Sequence, residues 1–264
     1  MPHSIIHGDA CFAYFNKSGA SPLTSELLIV CSIITVDIGI INRMLNLLGE
    51  VGPMDEFSAH KLEPALTLSA RRTAVLIVDM LNDFCKPGGA MVLPGYERLL
   101  LPQQTVIDAA RRSGATVIFV VDAHRQNVRR DREFLKRTPH CIENSWGAKV
   151  IDELGARPDD LFVIKRRYSA FFNTDLDLTL RDLEIDALIV MGVVTNICVR
   201  STVHDAFFLG YKVIVPEDCV AATGPREQES SLYDIATHFG AVSDSRGVAA
   251  GLVERIAIEN RIAA

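Results

Sequence analysis

The sequence predicts an α/β fold: a three-layer α-β-α arrangement around a doubly wound, mostly parallel sheet. Three observations carry this. Short apolar runs of strand length recur along the chain, separated by stretches of helical length. Some of these runs, Ala187-Leu-Ile-Val-Met-Gly192 foremost, are apolar throughout, the mark of a strand covered on both faces. Strands that alternate with helices are joined by crossovers, which lay helices on both sides of a parallel sheet.

The first strand is Thr73-Ala-Val-Leu-Ile-Val-Asp79, an apolar run ending in a carboxylate. A loop carrying Pro87-Gly88-Gly89 leads to a helix near Arg98 to Ser113, which Gly114 stops. Strand Ala115 to Val121 and a helix near Gly147 to Leu154 follow. Asp160-Leu-Phe-Val-Ile-Lys165 is a strand ending in an amine, and a helix near Asp175 to Leu183 joins it to strand Ala187 to Met191. The next helix carries Cys198 and ends by Gly210, ahead of strand Lys212 to Pro216. Glu229 to Phe239 reads as a helix and Ala241-Val-Ser243 as a short edge strand. No internal repeat or low-complexity tract is visible.

Residues 1–70 stand outside this alternation and read as an N-terminal extension ahead of one domain at 71–264. Leu27 to Ile41 is apolar, but Asp37 splits it. The uncharged part, Leu27 to Val36, is ten residues, where a spanning helix needs about twenty. The run lies far from Met1, with no basic region before it and no small-residue cleavage site after it, so a secretory signal fits poorly. Three readings stay open: an extra helix packed on the domain or a partner subunit, an inefficient membrane anchor, or translated upstream sequence. In the last case Met54 is the start, leaving 264 − 53 = 211 residues.

Composition narrows the function classes. With 264 residues, 48% hydrophobic and 23% charged, the chain can build one good core and has ordinary globular usage. Net charge is −6, and acids interrupt the densest basic stretch, Arg125 to Arg137, which argues against a nucleic-acid or acidic-membrane partner. Six cysteines form no C-x-x-C pair, so neither a zinc knuckle nor a disulfide framework is indicated, and a reducing cytoplasm is the simplest setting.

Chemistry gathers at strand ends. Cys198 lies in Gly192-Val-Val-Thr-Asn-Ile-Cys198-Val-Arg-Ser-Thr-Val-His-Asp205, where an apolar strand breaks into a helix that Thr195 and Asn196 can cap. A sulfur there faces unpaired backbone N–H groups and the positive end of the helix dipole, both of which favour thiolate. The plainer alternative is a buried, inert cysteine, among the commonest core residues. In an open parallel sheet the carboxyl ends of strands line one edge, where ligands bind. Asp79, Lys165 and Cys198 can therefore meet across long sequence separations.

Four ordered blocks between Thr73 and Ser245 then resemble the isochorismatase-like cysteine hydrolases, which include nicotinamidases, N-carbamoylsarcosine amidohydrolases and ureidoacrylate amidohydrolases. The blocks are Leu76-Ile-Val-Asp79-Met-Leu-Asn-Asp83-Phe84, Pro87-Gly-Gly-Ala90, Lys165-Arg-Arg-Tyr168-Ser169-Ala-Phe171-Phe172-Asn-Thr174-Asp175-Leu176, and the Cys198 block. The resemblance implies an Asp79-Lys165-Cys198 triad that needs no cofactor and a cis peptide between Val193 and Val194. It further implies an oxyanion hole from the backbone N–H groups of Val194 and Cys198, and a homodimer or homotetramer. The chain departs from the family pattern at Leu81, where a glutamine is usual.

A second constellation comprises Asp122 and His124, two residues apart at a strand end, and His140, 16 residues after His124. It resembles the Asp-x-His…His site of metal-containing nicotinamidases, where zinc, iron or manganese binds the substrate's ring nitrogen. The alternative is that these residues line the pocket or pair with one another. Cys141 is read as a buried neighbour. Phe84, Trp146, Tyr168, Phe171 and Phe172 are the candidates for an apolar pocket wall.

Three functions stay in play. The first is a hydrolase of a C–N bond in a small amide, ureide or carbamoyl compound, acting through a thioester, with a metal-assisted nicotinamidase as its variant. The second is an isochorismatase-type enol-ether hydrolase, against which the cysteine counts. The third is a catalytically silent binding protein, against which the complete triad counts.

Overall fold

In the computed structural model, residues 65–128 and 130–261 are described. The apolar run at 27–41 and the alternative start at Met54 lie outside the described residues. The strands are β1 (Ala65–Leu66), β2 (Thr73–Val78), β3 (Thr116–Asp122), β4 (Leu161–Lys165), β5 (Ala187–Val193), β6 (Lys212–Pro216), β7 (Val220–Ala221), β8 (Ala241–Ser243) and β9 (Ile258–Glu259). The helices are α1 (Asn82–Cys85), α2 (Leu100–Ser113), α3 (Leu176–Asp182), α4 (Arg200–Phe208), α5 (Pro225–Asp234) and α6 (Ser245–Glu254).

Seven strands form one sheet in the order β4-β3-β2-β5-β6-β8, with β7 continuing alongside β5, and every pair is parallel. Helices flank the sheet, and β1 and β9 form a separate antiparallel pair. The expected α/β class and the parallel sheet are both present. Strands β2 and β5 lie side by side at the centre and are buried at every residue, as their unbroken apolar sequences require. At the sheet edge β4 has only alternate residues covered: Phe162 and Ile164 are half-exposed. Gly114 closes α2 in the left-handed conformation at φ +80°, a residue without a side-chain penalty in that role.

Two elements depart from expectation. The segment 147–154 is not a helix; only Asp152–Leu154 makes a tight turn. Its backbone instead runs along α1 and the residues before it: the N–H groups of Asn82 and Asp83 donate to the carbonyls of Lys149 and Gly147, and Ile151 donates to Met80. These long-range bonds replace the local ladder a helix would need. Helix α5 starts at Pro225 rather than Glu229, because proline suits the first helical turn where its missing N–H is unneeded. A π-helical turn over Ile235–Phe239 continues it. Helix α6, which packs on α2, and the short β1, β7 and β9 were not foreseen.

Candidate active site

The sheet order creates the site. From β2 the chain winds outward through β3 and β4, then returns to lay β5 on the other side of β2. Between β2 and β5 the winding reverses, leaving a crevice beyond their carboxyl ends. Asp79 follows β2 there, in the left-handed region at φ 54°, which is uncommon for a residue other than glycine. Cys198 follows β5 within a π-helical turn, Thr195–Val199, that leads into α4. Lys165 ends β4 in register with Asp122 at the end of β3. Its side chain is fully buried and its Nζ reaches the Asp79 carboxylate at 2.8 Å and Cys198 Sγ at 3.7 Å.

The close approach of β2 and β5 depends on Gly192. It has φ +120°, and a Cβ there would collide with the backbone of Val78. A cis peptide joins Val193 to Val194 directly after it. The expected helix caps are absent. The Thr195 hydroxyl is buried without a hydrogen-bond partner, and Asn196 turns away to pair with Thr223. In that pair Asn196 Nδ2 donates to the Thr223 hydroxyl at 3.1 Å, while the Thr223 N–H donates to Asn196 Oδ1 at 3.2 Å.

Burial dominates the electrostatics. It pushes Asp79 up to about 6, against the pull of Lys165. Burial works against the charge on Lys165, yet the carboxylate of Asp79, Cys198 and the carboxylate of Asp122 more than offset it and hold the amine well above its ordinary value. Burial raises the Cys198 thiol well above its ordinary value despite the neighbouring Lys165 ammonium. A helix terminus favours the anion, but desolvation in this crevice outweighs it.

The second constellation lies beside the first and is larger than the sequence indicated. Asp122, His124, Glu133 and His140 are buried and bring one ligand atom each to within 4.8 Å of one another. His124 Nε2 lies 3.2 Å from Asp122 Oδ2 and 3.7 Å from Glu133 Oε2, and His140 Nε2 lies 3.6 Å from Asp122 Oδ2. Each imidazole is held from behind. His140 Nδ1 donates to the Thr138 carbonyl at 2.7 Å, and His124 Nδ1 meets Asp131 Oδ2 at 2.9 Å. A ring that donates through Nδ1 turns its Nε2 lone pair inward when neutral, the arrangement of metal-binding histidines. Asp122 Oδ1 and Glu133 Oε1 are buried without a hydrogen-bond partner. Two imidazoles and two carboxylates with spare oxygens fit a divalent cation. Burial lowers His124, but Asp122 and Asp131 raise it to about 9, so a proton and a metal compete for this cluster.

Both constellations face a cavity of about 420 Å³. Asp79, Cys198, Asp122, Glu133 and His140 open onto it, with Phe84 and Tyr168 on its wall. Phe84 also packs on the His140 ring at 5.4 Å. Trp146, Phe171 and Phe172 do not line it: Trp146 and Phe172 are half-exposed elsewhere, and Phe171 stacks on Tyr211 at 5.9 Å. The apolar wall comes instead from Met91, Val92, Leu93 and Ile197, and Arg137 completes the lining. Asp83 ties the wall together: its carboxylate accepts from the N–H groups of Ala90 and Cys141, at 3.0 and 2.6 Å. Cys141 is a buried neighbour of the cluster.

A doubly wound sheet with this cluster at its carboxyl edge has the architecture of the isochorismatase-like hydrolases. The Isochorismatase domain family model matches residues 73–247, and the chain belongs to that family. A cysteine hydrolase from Pseudomonas syringae pv. phaseolicola is 31% identical with a TM-score of 0.68, covering 74% of this chain and 100% of its own. N-carbamoylsarcosine amidase from Thermoplasma acidophilum is 33% identical with a TM-score of 0.58, covering 66% and 96%. Pyrazinamidase of Pyrococcus horikoshii, solved in complex with zinc, is 28% identical with a TM-score of 0.61, covering 66% and 99%. No helix among the described residues is long and apolar enough to cross a membrane.

Proposed function

We propose that this chain is a cysteine amidohydrolase that cleaves the C–N bond of a small amide, ureide or carbamoyl compound through a thioester on Cys198. The observation that carries the reading is the chain of contacts from Cys198 Sγ to Lys165 Nζ at 3.7 Å and from Lys165 Nζ to the Asp79 carboxylate at 2.8 Å. Asp79 is the base. The proton of the Cys198 thiol, whose loss burial opposes, passes to Asp79 as sulfur attacks the substrate carbonyl carbon, and the Lys165 ammonium offsets the negative charge crossing between them. The oxyanion is assigned to the backbone N–H groups of Val194 and Cys198. Asp79 then delivers its proton to the departing nitrogen, and the C–N bond breaks to leave a thioester. Water attacks that thioester with Asp79 taking its proton, the C–S bond breaks, and the sulfur recovers a proton while the acid departs.

Asp122, His124, Glu133 and His140 would hold a divalent cation, whose chemistry there is Lewis-acid binding of a substrate lone pair. The four-donor cluster and the zinc-bound pyrazinamidase relative support a second reading, a metal-assisted hydrolase of a heteroaromatic amide. We extend the proposal to a homo-oligomer acting in the cytoplasm. Intact-mass measurement on protein acid-quenched during turnover tests the thioester. An acyl adduct that is lost with Cys198→Ser supports it, and turnover without any adduct in either burst or steady state counts against it.

A further inference from the structure

Lys165 and Cys198 meet although their strands do not. Strands β4 and β5 stand three places apart in the sheet order, a span of about 14 Å at the usual strand spacing. A lysine side chain covers only part of that span, so the 3.7 Å contact between Nζ and Sγ depends on how the segments beyond the two strands lean together. A buried hydroxyl joins those segments. Thr202, on α4 one turn after Cys198, donates its hydroxyl to the Cys198 carbonyl at 2.7 Å, and the same oxygen accepts the N–H of Ala170 at 3.0 Å. Thr202 and Ala170 are both wholly buried. Ala170 follows Lys165 on the segment that carries Tyr168 to the cavity wall. The Ala170 carbonyl in turn accepts the hydroxyl of Thr174, so this residue is held through both its N–H and its C=O.

We propose that Thr202 is a positioning residue for the thiol: its hydroxyl clamps the Cys198 carbonyl to Ala170 and so holds Sγ against the Lys165 ammonium. A threonine that bonds only the carbonyl one turn back is a common feature of helices and needs no further role. The second bond, from Ala170, is the one a helix does not require, and it reaches the segment that follows the lysine. Without the hydroxyl the Ala170 N–H is left buried and unpaired, and the two segments are free to part. A displacement of about 1 Å at a reacting group can cost about 10²-fold in rate. The role in the reaction rests on the hydrolase reading above, whereas the placement of the thiol can be tested without a substrate.

The test uses the full chain and iodoacetamide, with the rate of Cys198 alkylation followed by peptide mass as a function of pH. Wild type is compared with Thr202→Val and Thr202→Ala, which remove the hydroxyl with and without keeping the side chain's shape, and with Thr202→Ser, which restores it. The ammonium favours thiolate, so drawing the sulfur away from it should slow alkylation at neutral pH by about tenfold and move the profile to higher pH. Thr202→Ser is expected to stay within about threefold of wild type. A hydroxyl that merely stabilised the helix would act the other way: its loss would lower the melt and speed alkylation by loosening the cover over the thiol. The proposal is overturned if either variant without the hydroxyl alkylates at or above the wild-type rate with an unmoved profile, or if Thr202→Ser is as slow as Thr202→Val. The same order is expected in kcat for ammonia release, with KM within about threefold. Ammonia release that persists in Cys198→Ala would overturn the hydrolase reading and leave the alkylation result standing.

Discussion

The two halves of the cavity are built differently. In the thiol half, Asp79, Lys165 and Cys198 sit at or just past the ends of strands β2, β4 and β5, so the sheet itself fixes their spacing. In the four-donor half only Asp122 belongs to a strand; His124, Glu133 and His140 come from the long connection between β3 and β4. That connection is held by side-chain bonds, from Asp131 to His124 and to the N–H of Glu133, and from Asp83 to Cys141. The sheet positions the nucleophile, whereas a network of carboxylates positions the cluster. Errors in the two halves should therefore have different signatures.

Short of removing the thiol itself, the largest effect is expected at Asp79. Asp79→Asn removes the base and should lower kcat by about 10² to 10⁴-fold with the fold retained, read from steady-state kinetics beside a thermal melt. Wild-type activity should also fall as pH drops through about 6, because burial pushes this carboxyl up and only its ionised form accepts the proton. Gly192→Ala strikes the frame of the same half. A methyl group there meets the Val78 backbone, and stability should fall by about 3 kcal/mol in urea unfolding. Glu133→Gln, in the other half, should leave the melt nearly unchanged and weaken zinc binding about 10 to 100-fold in calorimetry. Loss of stability without loss of zinc in that variant would mean the cluster is an ion-pair network rather than a metal site.

The same contrast decides what the sequence made legible. Asp79 and Lys165 each end an apolar run at a strand end, and Cys198 follows the run that breaks after Gly192, so the period and the break together mark them. Glu133 sits in the charged stretch Arg125 to Arg137, where one acid among many carries no signal, and only the folded connection selects it. Arg137 was hidden in the same way. Trp146 and Phe172 show the converse: aromatic residues near strand ends face outward because nothing in their spacing sets their direction. The effect of burial on the Cys198 thiol was out of reach as well. Helix position is local and visible in the chain, while desolvation is set by residues from several distant strands. The 147–154 segment failed as a helix for a related reason, since its backbone partners lie more than sixty residues earlier.

The most direct test of the central claim is ammonia release by wild type and Cys198→Ala, run side by side on a panel of nicotinamide, ureidoacrylate-like ureides, N-carbamoyl amino acids and simple amides. The account expects release from at least one compound by wild type and a loss of at least about 10³-fold in the variant. Release at an undiminished rate by Cys198→Ala would contradict it.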